Sequence, residues 1–260
     1  MEIISSLQNQ KIKNIVTLIE KSKERKSAGL FVVEGLKEVE MLYHSTYEIV
    51  EYYIHEKCTT LPDFIRQTKK PTYLVSEKVF DKISYRESTS AVVAVAQTKI
   101  HALADLLLSE KPLLIVLEGI EKPGNLGAVI RTADASGADA VIVCEPNTDI
   151  YNPNCIRNSV GTFFNKQIAV CTNEELQSFL KTHQIRSFAT AITTDHYHYQ
   201  SDYQQAVAFI FGTEATGLSN FWLTQADEII KIPMLGKNDS LNVSNSVAIC
   251  VYEAIRQRAL

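Results

Sequence analysis

The sequence predicts an α/β protein with a small N-terminal α/β domain and a larger C-terminal α/β domain built on a parallel sheet. Two observations lead to this prediction. Of the 260 residues, 45% are hydrophobic, which is enough for a substantial core. Short apolar runs also alternate along the chain with amphipathic or polar segments, an order typical of strands and helices in α/β folds.

The first region, residues 1–105, alternates helical and strand patterns. The segments that show this alternation are GLFVVEG, LKEVEMLYHS, EIVEYYIHEK, PTYLVSEKVFDKIS and SAVVAVAQ. Because each apolar run is short and is separated from the next by an amphipathic segment, we expect one compact α/β domain here.

The stretch KIKNIVTLIEKSKERKSAG holds the densest positive charge of the chain. The net charge of the protein is −4, whereas the first hundred residues carry 15 Lys and Arg against 13 Asp and Glu. We predict a helix with Ile12, Ile15, Leu18 and Ile19 on one face and with lysines and arginines on the others. The charged surface is either a solvated face or a face that binds RNA, and the charge run alone favours the solvated face.

From Leu113 onward the apolar runs become nearly continuous: LLIVLEG, DAVIVCE, KQIAVC, SFATAIT, AVAFIFG and EIIKIP. Strands that are apolar on both faces belong to parallel sheets covered by helices on each side. We therefore predict a parallel-sheet domain over residues 106–260. Before its first strand, the segment IHALADLLLSEKP is expected to form a helix and a connector.

Several functional classes are excluded by composition. No apolar run approaches the roughly 18–20 residues that span a bilayer, and the N-terminal segment lacks the order of a secretion signal. The 5 cysteines are scattered without a C-x-x-C pair, which fits neither a disulfide framework nor a zinc ribbon. The negative net charge argues against a general polyanion binder. We expect a cytoplasmic protein without a membrane segment.

Ligands of open α/β sheets bind beyond the carboxyl ends of the strands, so the loops after the predicted strands are candidate sites. The first such loop is IEKPGNLGAVIRTADASG, where Asn125 is expected to cap a helix that runs to Ser136 and ends at Gly137. Arg131 lies on the second turn of that helix, where its guanidinium could present donors to a phosphate. A surface arginine without a role is the equally simple interpretation.

The second loop, TEATGLSNFW, holds the carboxylate of Glu214 between Gly212 and Gly217. Two close glycines let a backbone approach a ligand, and the carboxylate could accept a hydrogen bond from a hydroxyl or a cationic group.

The third loop, LGKNDSLNVSNSVAI, follows a predicted strand that Gly236 interrupts. Ser240 or Asn242 is expected to cap the last helix. The polar residues here exceed what capping requires, which indicates a binding loop.

The three loops together, in this order and spacing, resemble the three motifs of the SpoU/TrmH RNA 2′-O-ribose methyltransferases of the SPOUT class. The motifs read PGNLGAVIRTADASGAD, FIFGTEATGLS and IPMLGKNDSLNVSNSVAI. The segment NPNCIRNSVGTFF is similar to a family segment that carries an Arg, a Ser and a Gly, here Arg157, Ser159 and Gly161. KNIVTLIEKSKERKSAGLFVVEG and KVFDKISYRESTSAVVAVAQ resemble the N-terminal RNA-binding domain of ribosomal-protein-L30e type. The resemblance covers nearly the whole chain.

The resemblance implies the architecture, the partners and the cofactor. Residues 1–105 would bind the RNA substrate, an rRNA or a tRNA. Residues 106–260 would form a SPOUT methyltransferase domain with a C-terminal trefoil knot, and two copies would form a homodimer through it. The implied cofactor is S-adenosylmethionine, held by loop backbone, and the implied reaction needs no metal.

The resemblance also assigns individual residues. The catalytic group would be Arg131, Asn125, Glu214, Ser240 and Asn242. The cofactor-binding group would be Gly212, Ile232, Leu241, Gly217 and Ser246. Because a guanidinium stays protonated at neutral pH, we expect Arg131 to hold the target phosphate and polarise the hydroxyl rather than act as a base. Asn245 departs from the family pattern, in which smaller residues are common at that position.

Other functional classes stay open at this point. A dinucleotide-dependent oxidoreductase with Glu145 as the ribose ligand is one, although the glycine spacing disagrees with a dinucleotide motif. A catalytically silent RNA-binding scaffold is another. The segment DHYHY sets His196 and His198 beside Asp195, which could chelate a metal, but an exposed loop without metal is the favoured interpretation.

Overall fold

The computed structural model describes residues 3–58, 60–84 and 91–259. Residues 85–90, which are part of the segment KVFDKISYRESTSAVVAVAQ, lie outside the described residues.

Strands and helices alternate through the first hundred residues, as predicted. The strands are β1 Ile3–Ile4, β2 Leu30–Glu34, β3 Ile49–His55, β4 Thr72–Val75 and β5 Val92–Gln97. The helices are α1 Gln10–Glu20, α2 Ser22–Ala28, α3 Leu36–Tyr43, α4 Asp63–Arg66 and α5 Glu77–Ile83.

Strands of the remaining chain are β6 Leu113–Glu118, β7 Ala140–Cys144, β8 Gln167–Cys171, β9 Arg186–Thr190, β10 Val207–Phe211 and β11 Glu228–Ile230. The helices are α6 Pro123–Ser136, α7 Pro153–Asn158, α8 Asn173–Thr182, α9 Asn220–Gln225 and α10 Val243–Arg258. Among the described residues, no helix combines the length and apolar composition needed to cross a membrane.

The chain divides into two compact units. The first contains the described residues up to Ile100 together with Asp149–Asn165, and the second contains His101–Thr148 and Lys166–Leu260. The units are therefore not two consecutive stretches of chain. The division into domains 1–105 and 106–260 stays a prediction.

The first unit is built on a mixed sheet with the strand order β1-β4-β3-β5-β2. Strand β5 pairs antiparallel with β2 and β3, whereas β4 pairs parallel with β1 and β3. The apolar face of α1, with Ile12, Ile15 and Leu18, packs into a core that also contains Val79 and Phe80 of α5. The predicted apolar face of the basic segment is thus buried.

The basic segment differs from the prediction in two respects. It forms two helices, because Lys21 between α1 and α2 adopts extended backbone angles. Arg25, expected on the charged surface, is only 2% exposed. Its Nε lies 2.6 Å from the Asp149 carboxylate, and its Nη1 donates to the carbonyl oxygens of Leu18 and Ile19. Its partner is 124 residues away in the sequence, so no local pattern predicts this burial.

The second unit is built on a fully parallel sheet, as predicted, with the strand order β11-β9-β10-β6-β7-β8. Its central strands are buried on both faces, which explains their continuous apolar runs. β6 lies between β7 and β10, so the connections after β6 and β10 leave in opposite directions. Ligand sites of open α/β sheets form at such a point.

Two element predictions in this unit are wrong. The segment IHALADLLLSEKP forms one short 3₁₀ turn, Leu103–Asp105, and no longer helix. Its backbone is instead bonded along the edge strand β8: His101 O accepts from Val170 N, and the Gln167 side chain bonds both the N–H and the carbonyl of Leu107. The last strand ends at Ile230, so Gly236 does not interrupt it.

Candidate active site

The loops that follow β9, β10 and β11 surround a cavity of about 540 Å³ in the second unit. A volume in this range suits a small-molecule ligand or cofactor. All the residues expected to bind a cofactor line it: Gly212, Gly217, Ile232, Leu241 and Ser246. Two of the expected catalytic residues, Glu214 and Ser240, line it as well.

The loop that follows β10 forms one wall of this cavity, and backbone packing sets the shape of this wall. Thr213 N donates to Gly217 O over 3.0 Å, and Gly217 N donates to Thr213 O over 3.1 Å, which closes a tight loop. A Cβ on Gly212 would lie 2.1 Å from the carbonyl carbon of Gly217, so only glycine fits. Gly217 adopts a φ of 70°, which favours glycine. Geometry therefore requires glycine at position 212 and favours it at position 217.

A cluster of polar side chains adjoins the cavity at Glu214. One carboxylate oxygen of Glu214 accepts a hydrogen bond from Asn125 Nδ2, and the other forms an ion pair with Lys122 Nζ. Asn242 Nδ2 donates to Asn125 Oδ1 over 3.2 Å. We call these four residues, Lys122, Asn125, Glu214 and Asn242, the polar cluster. The structure thus brings one residue from each of the three motifs into direct contact.

Asn125 does not cap its helix, contrary to the prediction. Helix α6 begins at Pro123, and Lys122 is the residue before it, so Asn125 lies in the first turn. Proline at this position supplies a helical φ and lacks only an N–H that would have no partner within the helix. The Asn125 side chain is therefore free to serve the polar cluster. Gly137 ends the helix in a left-handed conformation, as predicted.

The third loop confirms the capping prediction for Asn242. Its side-chain oxygen accepts from Ser244 N over 2.9 Å at the start of α10. One amide group therefore caps α10 with its oxygen and bonds Asn125 with its nitrogen. Ser240, the alternative cap, instead donates to Asp239 over 3.1 Å.

Arg131 lies apart from both the cavity and the polar cluster. Its side chain is exposed and makes no hydrogen bond or ion pair within the described part of the chain. Six residues separate it from Asn125, which amounts to about 9 Å along the helix and about 240° around it. The two residues therefore face different directions from α6.

Two residues were not predicted, one in the polar cluster and one at the end of β6. Lys122 was missed because a lysine beside a proline has no distinctive pattern. Glu118, at the end of β6, is only 5% exposed and accepts hydrogen bonds from Asn173 Nδ2 at 2.7 Å, Ser219 N at 2.8 Å and Ser219 Oγ at 2.6 Å. Asn173 in turn accepts from Trp222 Nε1 over 2.7 Å. A charged residue closing an otherwise apolar strand was the available signal.

The remaining sequence candidates lie elsewhere. Arg157, Ser159 and Gly161 belong to the stretch that clusters with the first unit, where Ser159 is buried and Gly161 packs against Met41. The Glu145 side chain accepts from Asn173 N over 3.4 Å.

The His-x-His segment also has its own partners. His196 Nε2 lies 2.6 Å from a Glu228 oxygen, and burial lowers the pKa of His198. In the residues that the structure describes, no group of three His, Cys, Asp or Glu side chains is placed to hold a metal.

Comparison with known proteins decides the family. Residues 112–252 match the SpoU rRNA Methylase family. The chain belongs to this family. Residues 9–94 match the MRM3-like substrate binding domain. Membership of the SpoU family excludes the dinucleotide-dependent oxidoreductase.

Similarity extends over the full chain. The 23S rRNA (guanosine(2553)-2′-O)-methyltransferase RlmP of Bacillus subtilis strain 168 is 29% identical over 252 residues, which are 97% of this chain and 98% of that protein. The crystal structure of an RNA 2′-O ribose methyltransferase is 35% identical, with a TM-score of 0.86 and 100% of both chains covered. The AdoMet-bound rRNA methyltransferase from Sinorhizobium meliloti is 28% identical, with a TM-score of 0.89 and with 98% of this chain and 97% of that one covered. The predicted SPOUT α/β fold is thereby confirmed, while the trefoil knot stays a prediction.

Proposed function

We propose that this SpoU family chain transfers a methyl group from S-adenosylmethionine to a ribose 2′-hydroxyl of RNA. The observation that carries the proposal is the junction at Glu214, which lines the cavity and also belongs to the polar cluster. Ribosomal RNA is the proposed substrate class, because the relative from Bacillus subtilis and the structure from Sinorhizobium meliloti are both named as rRNA methyltransferases.

The cavity fits the cofactor in size and lining. The close backbone approach at Gly212 and Gly217 leaves main-chain groups to contact a ligand, while Ile232 and Leu241 offer apolar surface to an adenine ring and Ser246 offers a hydroxyl. When bound, S-adenosylmethionine supplies a sulfonium methyl whose carbon–sulfur bond breaks as the ribose oxygen bonds the carbon, with the bonding electrons passing to sulfur.

The residues of the polar cluster would position the ribose. In-line transfer requires alignment of the hydroxyl with the methyl group and a destination for the hydroxyl proton. A carboxylate has about four lone-pair sites, and two of them on Glu214 are used by Lys122 and Asn125. Glu214 therefore keeps the capacity to accept a hydrogen bond from the 2′-hydroxyl. Ser240 and Asn242 would complete the polar wall.

Arg131 would act on the target phosphate from a second copy of the chain. Its distance from Asn125 along α6, and its lack of a partner among the described residues of its own chain, favour a site completed across a homodimer through residues 106–260. The test is a mixture of Arg131→Ala and Gly212→Ala, assayed at a concentration of S-adenosylmethionine that leaves the second variant largely without cofactor. Mixed dimers regain activity if Arg131 serves the partner's cavity, whereas no activity returns if it serves its own.

The first unit would contact the RNA backbone through its exposed lysines. Lys13, Lys21, Lys23 and Lys26 are exposed and have no ion pair within the described residues, whereas Arg25 is buried and is not available. Phosphate contacts make binding salt-dependent. Replacing Lys21, Lys23 and Lys26 by alanine in the full chain should weaken RNA binding and flatten its dependence on salt, and an unchanged slope would place the RNA elsewhere. We expect the enzyme in the cytoplasm, where the RNA would be found.

The proposed function as a whole is tested by two measurements on the full chain. Titration calorimetry should show binding of S-adenosylmethionine and no binding of NAD. Mapping of ribose methylation in rRNA and tRNA from a strain that lacks this gene should reveal one or more missing 2′-O-methyl groups, which the purified protein restores. RNA binding without any methyl transfer would instead identify a silent scaffold.

A further inference from the structure

A pair of stacked tyrosines lies in the loop between β9 and β10. The rings of Tyr197 and Tyr199 have centroids 5.4 Å apart and an interplanar angle of 16°. Tyr199 is 51% exposed. Nearby aromatic residues that serve the core are covered: Tyr203 is fully buried and packs against Phe188 and Phe209. The Tyr199 ring therefore presents surface to solvent that the core does not use.

The position of this pair is fixed relative to the cofactor cavity. Lys231 lines the cavity, and its ammonium lies 5.2 Å from the centroid of the Tyr197 ring. Backbone bonds hold the two segments together, because Lys231 N donates to His196 O over 2.8 Å and His198 N donates to Lys231 O over 2.9 Å. The Lys231 ammonium thus lies over the Tyr197 ring, and the Tyr197 ring stacks with the Tyr199 ring, which connects the exposed ring to a residue of the cavity wall.

The positive charge of Lys231 is neutralised by the carboxylate of Asp195. Lys231 Nζ lies 2.9 Å from an oxygen of Asp195, and this hydrogen bond raises the pKa of Lys231 and lowers that of Asp195. Both groups stay charged at neutral pH and compensate each other. A phosphate gains little from such a surface, whereas the π-face of a neutral base gains from an aromatic ring.

We propose that Tyr199 is a stacking platform for an unpaired base of the RNA substrate, close to the nucleotide that is methylated. This inference rests on the proposed function, because it assumes that RNA reaches the cavity. Tyr197 stacks with the Tyr199 ring, and Lys231 lies over the Tyr197 ring. Since every base has a π-face, the platform tolerates different bases and requires only that the base be unpaired.

Photo-cross-linking tests the contact directly. The full chain is saturated with S-adenosylmethionine and irradiated with single-stranded oligoribonucleotides that carry 5-iodouridine at successive positions, a base that cross-links to stacked aromatic rings. We expect at least one position to cross-link to the peptide that contains Tyr199. Cross-links confined to other peptides would overturn the proposal.

Two substitutions at one position separate stacking from bulk. Tyr199→Leu should weaken binding of the same oligoribonucleotides by roughly five- to a hundredfold, whereas Tyr199→Phe should bind like the wild type. The affinity for S-adenosylmethionine and the salt dependence of RNA binding should be the same in all three proteins, because no ionic contact is lost. Equal RNA affinities for the Leu and Phe variants, or a changed salt slope for the Leu variant, would overturn the proposal.

Failure of the platform is distinguishable from failure of the proposed function. If the wild type methylates RNA and the Tyr199→Leu variant does so equally well at limiting RNA concentration, only the platform is wrong. If the wild type neither binds S-adenosylmethionine nor transfers a methyl group, the proposed function fails first and the platform falls with it.

Discussion

The cavity wall after β10 and the polar cluster meet at Glu214, but they are held by different forces. The wall is fixed by the backbone, through the reciprocal hydrogen bonds of Thr213 and Gly217 and the absence of space at Gly212. The polar cluster is joined by bonds between side chains, because Asn125 and Lys122 bond Glu214 and Asn242 bonds Asn125. A backbone wall is complete before a ligand arrives, whereas side-chain bonds exchange partners readily. We infer that cofactor binding depends on the first region and alignment of the substrate on the second.

The largest expected effect is a loss of methyl transfer in Arg131→Ala, with cofactor binding almost unchanged. Arg131→Ala should lower single-turnover methyl transfer by about a hundred- to a thousandfold, because a charge-assisted contact made mainly in the transition state is lost. Affinity for S-adenosylmethionine, measured by calorimetry, should stay within about threefold. Arg131→Lys should rescue little, since a point charge cannot span a phosphate and a hydroxyl as a planar fork does. Equal losses of rate and of cofactor affinity would instead place Arg131 in the cofactor cavity.

Gly212→Ala tests whether the cavity wall binds the cofactor. The new Cβ must displace the backbone of Gly217 and Leu218, and shifts of this kind cost about 1–3 kcal/mol. We expect about a tenfold to a hundredfold loss of affinity for S-adenosylmethionine, measured by calorimetry. Gly236→Ala is the matched control, because a Cβ there meets nothing within 4 Å. Unchanged cofactor affinity in the Gly212 variant would show that the wall does not bind the cofactor.

Glu118→Ala should mainly lower the stability of the fold, with a smaller effect on methyl transfer. The substitution removes the acceptor of the buried Asn173 side chain and of two donors of Ser219, which costs about 1–3 kcal/mol. At roughly 2–4 °C per kcal/mol for a chain of this size class, the melting temperature should fall by about 2–12 °C in calorimetry. Glu118→Gln keeps one oxygen acceptor and should lose less. A melting temperature equal to the wild type would mean that water satisfies these donors.

The smallest effect is expected for Lys122→Ala. The Lys122 side chain is 66% exposed, and exposed ion pairs contribute little because water and salt screen them. Methyl transfer should fall by no more than about threefold in a steady-state assay, and the effect should shrink at high salt. A hundredfold loss of methyl transfer would indicate that Lys122 contacts the substrate and does not only pair with Glu214.

The strands of the second unit could be predicted from the sequence because they are apolar on both faces and each is followed by a polar or glycine-containing loop. Sites that depend on a local shape could also be predicted, as Gly137 and Asn242 show. The polar cluster could not be derived from spacing, since 117 residues separate Asn125 from Asn242. The resemblance to a family supplied three members of the cluster, Asn125, Glu214 and Asn242, and the structure supplied Lys122 and the contacts.

Two of the failed predictions share a physical cause, which is competition from a distant partner. Residues 101–112 look helical by composition, yet the edge strand β8 satisfies their backbone groups through Gln167 and Val170. Arg25 looks solvent-exposed by its neighbours, yet Asp149 and two carbonyl oxygens bury it. Local sequence preference predicts structure only weakly where such tertiary contacts compete with it.

The return of Asp149–Asn165 to the first unit has a consequence for synthesis on the ribosome. Until residue 165 has emerged, the first unit lacks the counter-ion of buried Arg25 and the ring of Phe164 that stacks on Phe31. Losing one partner of a buried ion pair costs about 3–5 kcal/mol, so the nascent first unit is incomplete while β6 and β7 are already outside. The first unit therefore cannot be completed until part of the second unit has already been synthesised.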